Sequence, residues 1–588
     1  MRARLVPVAL LLAAAVLLVL GLYGRALDYE LVWMDEAEIG EGAIVLPPGA
    51  PWASAFTRPL HASSAGTNPY YRPLQIVVAT AVHRVAGPAP RFHRAVLFAA
   101  AIATACAFGA LAQGLTGSAA LALAAVAFAA AHPAMLESWV WISGLGEALA
   151  GFFIVASVGL GAAALARGGA AAAALSLGAL LLALLSKEKA VATPLLVAAW
   201  WIAQRIAAGG LRGALADRAS LRRAALLVGA QLALVLVYLL ARPLLLGRGL
   251  VAAAPIGGDV ATHLLSAIAS WPASIAWLLL PLHSSSSDTI AIVRSAADPR
   301  VWLGVALPLA SLALALVCAQ RGRPVAAFGI AWIWIAFLPT SNLFPQIHAH
   351  AERYLFLSVF GLALAAVDLA SALAARVAPR ARVALAASLV GVFALFLAQR
   401  TWVRTPAWRS TETLFRADVA RDPSFREGRF HLVRTLVESR RFAEADAELR
   451  ALRQTPAADR SGYANATGVE QLACAVDLGL ARPGMAVLRY DQIAKDAPPI
   501  AADPGLRSCV AQALEAQGRN AEAAQLYEQA VASLASEPPA ALSLAMARVY
   551  AKTGRRDEAK QWLARAEAAG PRDAAFDIQL RQVEKLLR

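Results

Sequence analysis

The first 398 residues alternate between long apolar runs and short polar segments, and the remainder has no apolar run long enough to cross a bilayer. The apolar runs fall at residues 5–24, 74–87, 94–114, 118–133, 138–166, 170–186, 190–206, 224–246, 262–282, 301–320, 324–343, 354–376 and 382–398. Runs of this length and number are typical of a polytopic bundle of transmembrane helices. We therefore predict an all-α protein, with a transmembrane domain at residues 1–399 and a polar helical domain at residues 400–588.

The composition agrees with a protein that resides in the lipid bilayer. Of the 588 residues, 59% are hydrophobic and 16% are charged, whereas soluble proteins average about 25% charged residues. The net charge is +15, but residues 400–588 hold 28 Lys and Arg against 24 Asp and Glu. Most of the excess therefore lies in short loops between apolar runs, where basic residues orient membrane helices. This distribution argues against nucleic acid as a partner.

The basic loops predict the topology, because Lys and Arg favour the cytoplasmic side. Of the eleven to thirteen helices, eleven crossings satisfy this rule if residues 94–133 make one net crossing and residues 262–282, broken at Trp271-Pro272, return to the side they left. The basic segments then assigned to the cytoplasm are Arg2 and Arg4, Arg84 to Arg94, Arg167, Arg205 to Arg223, Arg321 to Arg323 and Arg376 to Arg382. The segments that face outward are residues 28–72, 186–189, 283–288 and 341–353. The N-terminal apolar run is predicted to be an uncleaved first helix.

The polar domain carries an internal repeat. The segments GRNAEAAQLYEQAVASL and GRRDEAKQWLARAEAAGP align in register, with Gly518 opposite Gly554. Small residues at fixed positions are typical of tetratricopeptide repeats, in which paired helices approach closely. Two weaker copies are centred on Ala445 and Ala486. We predict an external α-solenoid that binds a protein partner on its concave face, and a generic Ala-rich helical domain is the alternative.

Four cysteines are too few for a disulfide scaffold. Cys106 and Cys318 lie in apolar runs and are predicted to be buried, inert thiols. Cys474 and Cys509 lie in the polar domain, where they would pair in an oxidising compartment, although buried positions in a helical core explain them equally well.

An acidic loop at residues 28–72 separates the first two apolar runs. It carries adjacent carboxylates, Asp35 and Glu36, and it ends with Arg72 at the start of the next run. Paired carboxylates at a membrane rim suit general-base chemistry, metal binding or orientation of a polar acceptor. The alternative is an ordinary solvated loop on the side of the membrane that basic residues avoid.

Three further polar motifs interrupt the apolar runs. HPAMLESWVWISGLGEAL contains His132, Glu137 and Glu147; SKEKAVATPLL contains Lys187, Glu188 and Lys189; and LPTSNLFPQIHAHAERYLFLSVFG contains Asn342, His348, His350, Glu352 and Arg353. Ionisable residues at membrane depth are costly and indicate a functional site. Lys187 and Arg353 have the chemistry to hold a phosphate, whereas side chains that snorkel from helix ends are the structural alternative.

These motifs together resemble those of one protein family. WMDEAEI, YYRPL, RFHRAVLF, HPAMLESWVWISG, SKEKAVATP and FLPTSNLFPQIHAHAERYLFLSVFG occur in the order found in the transmembrane and tetratricopeptide-repeat-containing proteins and their bacterial relatives, which belong to the GT-C glycosyltransferases. The resemblance covers almost the whole chain. It implies an inverting membrane enzyme that transfers a sugar from a polyprenyl-phosphate carrier to a hydroxyl group of a protein or glycan outside the cytoplasm.

The resemblance also implies roles for individual residues. Asp35 is expected to be the catalytic base and Glu36 its support. The residues expected to bind the donor phosphate or the substrate are Tyr71, Arg72, His132, Glu137, Lys187, Glu188, His350, Glu352 and Arg353. The sequence indicates no definite cofactor, and it leaves open a divalent metal at the Asp35 and Glu36 pair.

The chain departs from the family pattern at three positions. Glu36 stands where aspartate is commoner, Tyr70 stands where serine is usual, and Leu145 stands where an arginine is expected. If that arginine contacts the carrier phosphate, Lys187 and Arg353 must do so here. The loss leaves the role of Glu147 open and favours the main alternative function, a non-catalytic membrane scaffold that binds proteins through its repeats.

A transporter is the third alternative, but residues 1–200 and 201–400 show no internal duplication of the kind that many transporters carry. The resemblance and the Ala- and Arg-rich composition imply a location in a bacterial inner membrane. The N-terminus is expected in the cytoplasm and the repeat domain in the periplasm.

Overall fold

The computed structural model describes residues 8–61, 70–246, 254–286, 289–346, 348–455, 465–534, 537–568 and 574–588. Of the sequence features above, Arg2, Arg4, residues 62–69, residues 287–288 and Ile347 lie outside this description. The chain divides into two compact units after Arg421. We call them the bundle unit and the repeat unit. Residues 400–421, predicted to open the polar domain, belong to the bundle unit.

The described part of the bundle unit consists of helices and turns without a β-strand. The helices are α1 (Val8–Tyr23), α2 (Pro73–Ala86), α3 (Pro90–Thr116), α4 (Ala119–Ala131), α5 (Leu136–Val140), α6 (Leu145–Arg167), α7 (Ala170–Ser186), α8 (Thr193–Ala216), α9 (Arg218–Leu246), α10 (Val260–Leu279), α11 (Pro299–Gln320), α12 (Pro324–Phe337), α13 (Phe356–Val377), α14 (Arg382–Arg404) and α15 (Thr411–Arg421). By length and composition, nine described helical segments are able to cross a membrane, or ten if the bent pair Ala119–Ala131 and Pro133–Val140 is one span.

Most of these helices run between two opposite ends of the bundle. One end, which we call the polar end, contains Asp35, Lys187 and Arg353. Here the Tyr23 hydroxyl at the end of α1 donates a hydrogen bond to the Ala130 carbonyl at the end of α4 (2.7 Å). The described helices that connect the two ends are α1, α3, α4, α6, α7, α8, α9, α11, α12, α13 and α14. Nine described segments, or ten with the bent pair, are long and apolar enough for a membrane span, and α10 is among them, so the eleven crossings stay a prediction.

Helix α2 has both of its ends at the polar end, so residues 74–87 do not run the length of the bundle, contrary to the prediction. Just before its first residue, Arg72 donates to Glu188 at the start of the α7–α8 connection (3.0 Å). In its last turn, Arg84 donates to a carbonyl of the first loop (3.1 Å), and Arg94 in α3 contacts the same loop. Arg84 and Arg94 therefore lie at the polar end, away from the other basic loops with which they were predicted to share one side.

Residues 94–133 form two helices, α3 and α4, rather than the single net crossing that the charge pattern suggested. Gly117 ends α3 with a left-handed backbone (φ 65°). The Ser118 hydroxyl then accepts a hydrogen bond from Leu121 N at the start of α4 (3.4 Å). The two helices pack against each other along this connection. Gly117 ends α3 and Ser118 caps the start of α4. These two residues account for the difference from the prediction.

Helix α10 stays at the polar end, as predicted for residues 262–282. His263 and Trp271 both contact residues 341–342. Nearer its end, Leu278 accepts a hydrogen bond from His132 at the end of α4 (2.9 Å).

The predicted break at Trp271-Pro272 is absent, because Pro272 lies inside a continuous helix. Proline removes the hydrogen bond to the carbonyl four residues earlier, which is that of Ile268. Gly304 of α11 packs at that point: a Cβ atom on Gly304 would lie 2.1 Å from the Ile268 oxygen. The close neighbouring helix holds α10 straight enough to remain one element.

The repeat unit is also helical throughout its described residues. Its helices are α16 (Arg426–Glu438), α17 (Phe442–Gln454), α18 (Ala466–Gly479), α19 (Pro483–Asp496), α20 (Pro498–Ala501), α21 (Pro504–Ala516), α22 (Asn520–Ala532), α23 (Ala540–Lys552), α24 (Arg556–Ala568) and α25 (Ala574–Leu587). The pairs α16–α17, α18–α19, α21–α22 and α23–α24 are consecutive hairpins.

The four hairpins turn in the same way, which confirms the two weaker copies as well as the two clear ones. One residue in each turn has a left-handed backbone: Arg440 (φ 58°), Ala481 (φ 54°), Gly518 (φ 76°) and Gly554 (φ 81°). Five residues later, each hairpin carries an alanine with at most 2% of its surface exposed: Ala445, Ala486, Ala523 and Ala559. Only a small side chain allows the two helices to approach there.

A disulfide joins two of the hairpins. Cys474 in α18 is bonded to Cys509 in α21, with their Cα atoms 6.2 Å apart. Of the two alternatives that the sequence left open, pairing is the one found. Cys106 and Cys318 are free thiols, half-buried and buried respectively.

The turn geometry predicts opposite effects for the same substitution at two glycines. Gly518→Ala is expected to lower the stability of α21 and α22 by about 1 kcal/mol, because a left-handed backbone is unfavourable for alanine. Gly484 in α19 also has nothing within 4 Å of an added Cβ but has no positive φ, so Gly484→Ala should be neutral or stabilising by up to about 1 kcal/mol. Native-state hydrogen exchange of the full chain measures both. Equal destabilisation by the two variants would contradict the assignment of the turn.

Candidate functional site

Asp35 lies at the polar end with none of its surface exposed. Its carboxylate accepts hydrogen bonds from the Ser143 backbone and hydroxyl (2.8 and 2.7 Å), and from Val32 N (3.2 Å). Burial raises the pKa of Asp35 to about 6, although the Ser143 hydroxyl and the charge of Arg94 act in the opposite direction. The Asp35 side chain thus fixes the first loop to the connection before α6, and in this conformation it does not reach solvent.

Arg94 reinforces the same attachment. It is fully buried and donates to the carbonyls of Tyr29 and Glu30 and to the Val140 carbonyl (3.2 Å). Three carbonyl acceptors from two segments hold a guanidinium well because its donors form a rigid fork. This role of Arg94 was not predicted, because RFHRAVLF has the composition of an ordinary basic loop that enters a helix.

Glu36, next to Asp35, is only half-buried. Its Oε1 atom accepts a hydrogen bond from the Thr411 hydroxyl (2.9 Å), and Thr411 in turn accepts one from Trp33 N (2.8 Å). Thr411 opens α15, beyond the last helix that runs the length of the bundle. Residues after position 399 therefore help to position the acidic pair, which explains why they belong to the bundle unit.

The predicted basic residues meet two carboxylates in a second cluster. Arg72 donates to Glu188 (3.0 Å) and lies over the ring of Tyr70 (4.2 Å). Lys187 Nζ is 2.7 Å from Glu147 Oε1, and its side chain keeps 16% of its surface exposed. Burial lowers the pKa of Lys187 to about 7, although the charge of Glu147 opposes the change. The Tyr70 ring, at the position where the sequence motifs led us to expect serine, thus contacts the guanidinium that pairs with Glu188.

Glu147 is the central carboxylate of this cluster. Its second oxygen, Oε2, lies 2.8 Å from Lys189 Nζ, and the side chain is almost completely buried. Two residues earlier, Leu145 occupies the position at which the sequence motifs led us to expect an arginine, and it is also buried. Two lysines supply positive charge beside Glu147.

Arg353 connects this cluster to α5 and α10. Its guanidinium pairs with Glu137, and its backbone N–H donates to the same carboxylate (3.0 Å). Lys189 donates to the Arg353 carbonyl (3.2 Å), and Arg353 also reaches the carbonyl of Ser286 (3.4 Å). Arg353 is therefore fully engaged in holding segments together.

The segment after α10 is held by two more carboxylates. Glu352 accepts a hydrogen bond from Ser285 N, and Asp418 accepts from the Ser286 hydroxyl (2.7 Å). Asp418 also pairs with Arg404 at the end of α14 (2.5 Å). Consequently, segments from all four loops predicted to face outward meet at the polar end.

Three other residues that were predicted to bind the donor or the substrate are buried or half-buried. His132 is fully buried, donates to the Leu278 carbonyl and accepts from Ala134 N (3.1 Å). Tyr71 is buried and donates to the Phe56 carbonyl (3.1 Å). His350 is half-buried in the loop before α13. The geometry leaves no free ring nitrogen on His132 to contact a donor.

The acidic pair does not fit a metal site. Both Asp35 oxygens face N–H and O–H donors, a set that suits a carboxylate without a cation. Among the described residues, no three His, Cys, Asp or Glu side chains are grouped so as to hold a metal ion.

In these contacts four cations share three carboxylates. The cations are Arg72, Lys187, Lys189 and Arg353, and the carboxylates are Glu137, Glu147 and Glu188. These contacts thus contain one more cation than carboxylates, and the Lys187 side chain keeps 16% of its surface exposed. An anion that enters this end would complete the pairing, as buried charges require.

Comparison with known proteins reaches the repeat unit only. A family model described as tetratricopeptide repeat matches residues 514–581. No curated protein is significantly similar to the chain. The match runs from the last residues of α21 through α22, α23 and α24 into α25, and tetratricopeptide repeats suggest interaction with a protein partner.

Proposed function

We propose that the bundle unit is a membrane glycosyltransferase that takes a sugar from a polyprenyl-phosphate carrier. The observation that carries the proposal is the excess positive charge around Lys187, Arg72 and Glu147 at the polar end. A lipid-linked phosphosugar keeps its chain in the bilayer and its phosphate at the rim, where a bundle of apolar helices ends. The resemblance described for the sequence motifs supports the same class of donor.

In the proposed reaction, Lys187 and Arg72 stabilise the charge that develops on the leaving phosphate. Preorganised cations in a site with little water act most strongly on such charge. The acceptor oxygen bonds to the anomeric carbon as the bond from that carbon to the phosphate oxygen breaks, and the bonding electrons leave with the phosphate. Attack from the opposite face inverts the anomeric centre in a single displacement, so one carboxylate suffices as base.

We assign the base to Glu36 and a positioning role to Asp35, which reverses the roles expected from the sequence. Glu36 is partly exposed, and Thr411 orients its carboxylate. Asp35 is completely buried, and its oxygens are occupied by Ser143 and Val32. A general base must come within hydrogen-bond reach of the proton that it removes, and exposure favours Glu36.

The charge distribution supports an external site. Basic residues that lie away from the polar end are Arg167, Arg205, Arg218, Arg222, Arg223, Arg321, Arg323, Arg376, Arg380 and Arg382. Such residues favour the cytoplasm, so the polar end would face outward, toward the periplasm of a bacterium. The Cys474–Cys509 bond suits an oxidising compartment for the repeat unit, where its repeats would recruit a protein acceptor or partner.

The second candidate is a non-catalytic scaffold that binds proteins through its repeats. The replacement of the expected arginine by the buried Leu145 favours it. The surplus of cations near Lys187 argues against it, because a scaffold gains no stability from two lysines that share one carboxylate in apolar surroundings.

Substitutions in the acidic pair test the reaction. Purified protein in detergent is offered radiolabelled polyprenyl-phosphate sugars, and transfer or slow hydrolysis is measured. Glu36→Gln is expected to lower the rate by about 10²–10⁴-fold, the usual contribution of a general base. Glu41→Gln, an exposed carboxylate of the same loop, is the matched control and should retain the wild-type rate.

The variant Asp35→Asn shows whether Glu36 or Asp35 is the catalytic base. Near-normal transfer by Glu36→Gln together with loss by folded Asp35→Asn would make Asp35 the base. Absence of turnover by the folded wild-type protein across a broad donor panel would favour the scaffold.

The pH dependence tests Lys187. Its pKa is lowered to about 7, so the ammonium that binds phosphate is present below pH 7 and is lost above it. The KM for the donor is expected to rise about tenfold for each pH unit above 7. Lys187→Arg should remove this rise because a guanidinium does not titrate in the range, and Glu147→Gln should move it to lower pH. A KM that stays constant from pH 6 to 9 in the wild type would exclude Lys187 from binding.

The redox state of Cys474 and Cys509 in cells tests whether the repeat unit lies in an oxidising compartment. When cells are lysed in denaturant with a maleimide reagent, two thiols per chain, those of Cys106 and Cys318, should react without reductant and four after reduction. Modification of all four without reductant would place the repeat unit in a reducing compartment.

A further inference from the structure

A cavity of about 330 Å³ opens in the repeat unit between α17, α18 and α19. Leu449 and Met485 form its apolar surface. Four guanidinium groups line it, those of Arg450, Arg453, Arg482 and Arg489. We call this feature the arginine cavity. The proposed transferase reaction makes no use of it.

The ion pairs of the arginine cavity leave positive charge in excess. Asp446 pairs with Arg450 (2.8 Å) and with Arg482 (3.2 Å). Asp477, which is buried, pairs with Arg482 (3.2 Å) and with Arg489 (2.8 Å). Three guanidinium groups therefore share two carboxylates, and their remaining N–H donors border the cavity.

The other three hairpins show why Arg482 is available to the cavity. In each of them an arginine directly follows the left-handed turn residue and pairs with a glutamate three positions later. These pairs are Arg441–Glu444 (2.6 Å), Arg519–Glu522 (2.6 Å) and Arg555–Glu558 (2.5 Å). In the second hairpin, the arginine is Arg482 and the position of the glutamate is taken by Met485. Without its local partner, Arg482 turns to Asp446 and Asp477.

A purely structural role explains this arrangement less well. In the other three hairpins the turn arginine pairs with a glutamate at the start of its own helix, and Arg555 also pairs with Glu528 (2.6 Å). Met485 keeps 48% of its surface exposed, so it does not replace the glutamate to fill a core. Arg453, at the edge, is already neutralised by Glu470 (2.6 Å). Two cations also share one carboxylate at Glu515, so the feature particular to the second hairpin is the exposed apolar side chain of Met485 beside the shared guanidinium groups.

We infer that the arginine cavity binds an extended protein segment through an acidic side chain, with a neighbouring apolar side chain against Leu449 and Met485. A carboxylate accepts paired hydrogen bonds from a guanidinium fork, and it would balance the surplus charge. Arrays of helical hairpins present grooves to extended chains, and this unit carries the tetratricopeptide-repeat match. The inference is independent of the proposed transferase reaction.

The test measures peptide binding to the full chain in neutral detergent. The probe is a fluorescein-labelled peptide of alternating Glu and Leu, and the same peptide with Gln in place of Glu is its neutral counterpart. Fluorescence anisotropy should show binding of the acidic peptide alone, weakened by salt. Met485→Glu restores the local pair found in the other hairpins and should weaken binding at least about tenfold, as should Arg489→Ala. The matched control, Arg519→Ala in the third hairpin, should bind as the wild type does.

The outcomes are distinct. Loss of binding in Met485→Glu, with an unchanged melting temperature, supports the inference, because three sister hairpins already tolerate glutamate at that position. Equal binding by Met485→Glu and the wild type would overturn it, and so would no binding of the acidic peptide. If a short-chain phosphatidylglycerol binds in place of the peptide, the cavity belongs to a lipid headgroup and the inference fails.

Discussion

Buried charges must be paired, and this constraint organises the polar end of the bundle. Glu147 lies between Lys187 and Lys189, and Glu137 accepts from both the side chain and the backbone of Arg353. Removing one member would leave its partner charged in apolar surroundings, at a cost of about 3–5 kcal/mol. Loops that are hundreds of residues apart in the chain are held together for this reason.

The same constraint connects the fold to the proposed chemistry. Helices α2 and α10 start and end at the polar end, so they add polar contacts there without crossing the bundle. Arg72 reaches the cluster from the start of α2. In these contacts the cations outnumber the carboxylates by one. The phosphate of the proposed lipid carrier would add an anion beside Lys187, whose side chain keeps part of its surface exposed.

In the repeat unit, the residue at one position of a repeated turn determines which carboxylate the turn arginine contacts. All four hairpins turn through a left-handed residue followed by an arginine. Three of those arginines are neutralised on their own helix. At Met485 the local carboxylate is missing, so the turn stays intact while its charge becomes available to a neighbouring cavity.

The sequence by itself determined the helical class, the apolar runs and the repeats, because these depend on local composition and on spacing within one element. It also indicated Asp35, Lys187 and Arg353 as polar residues of one region. Tertiary structure decided which charges pair: Glu147 as the shared partner of two lysines, Arg94 as a clamp on the first loop, and Asp35 as buried while Glu36 is partly exposed. It also decided that α2 does not cross the bundle. Pairing and exposure depend on contacts between distant segments, which no local pattern records.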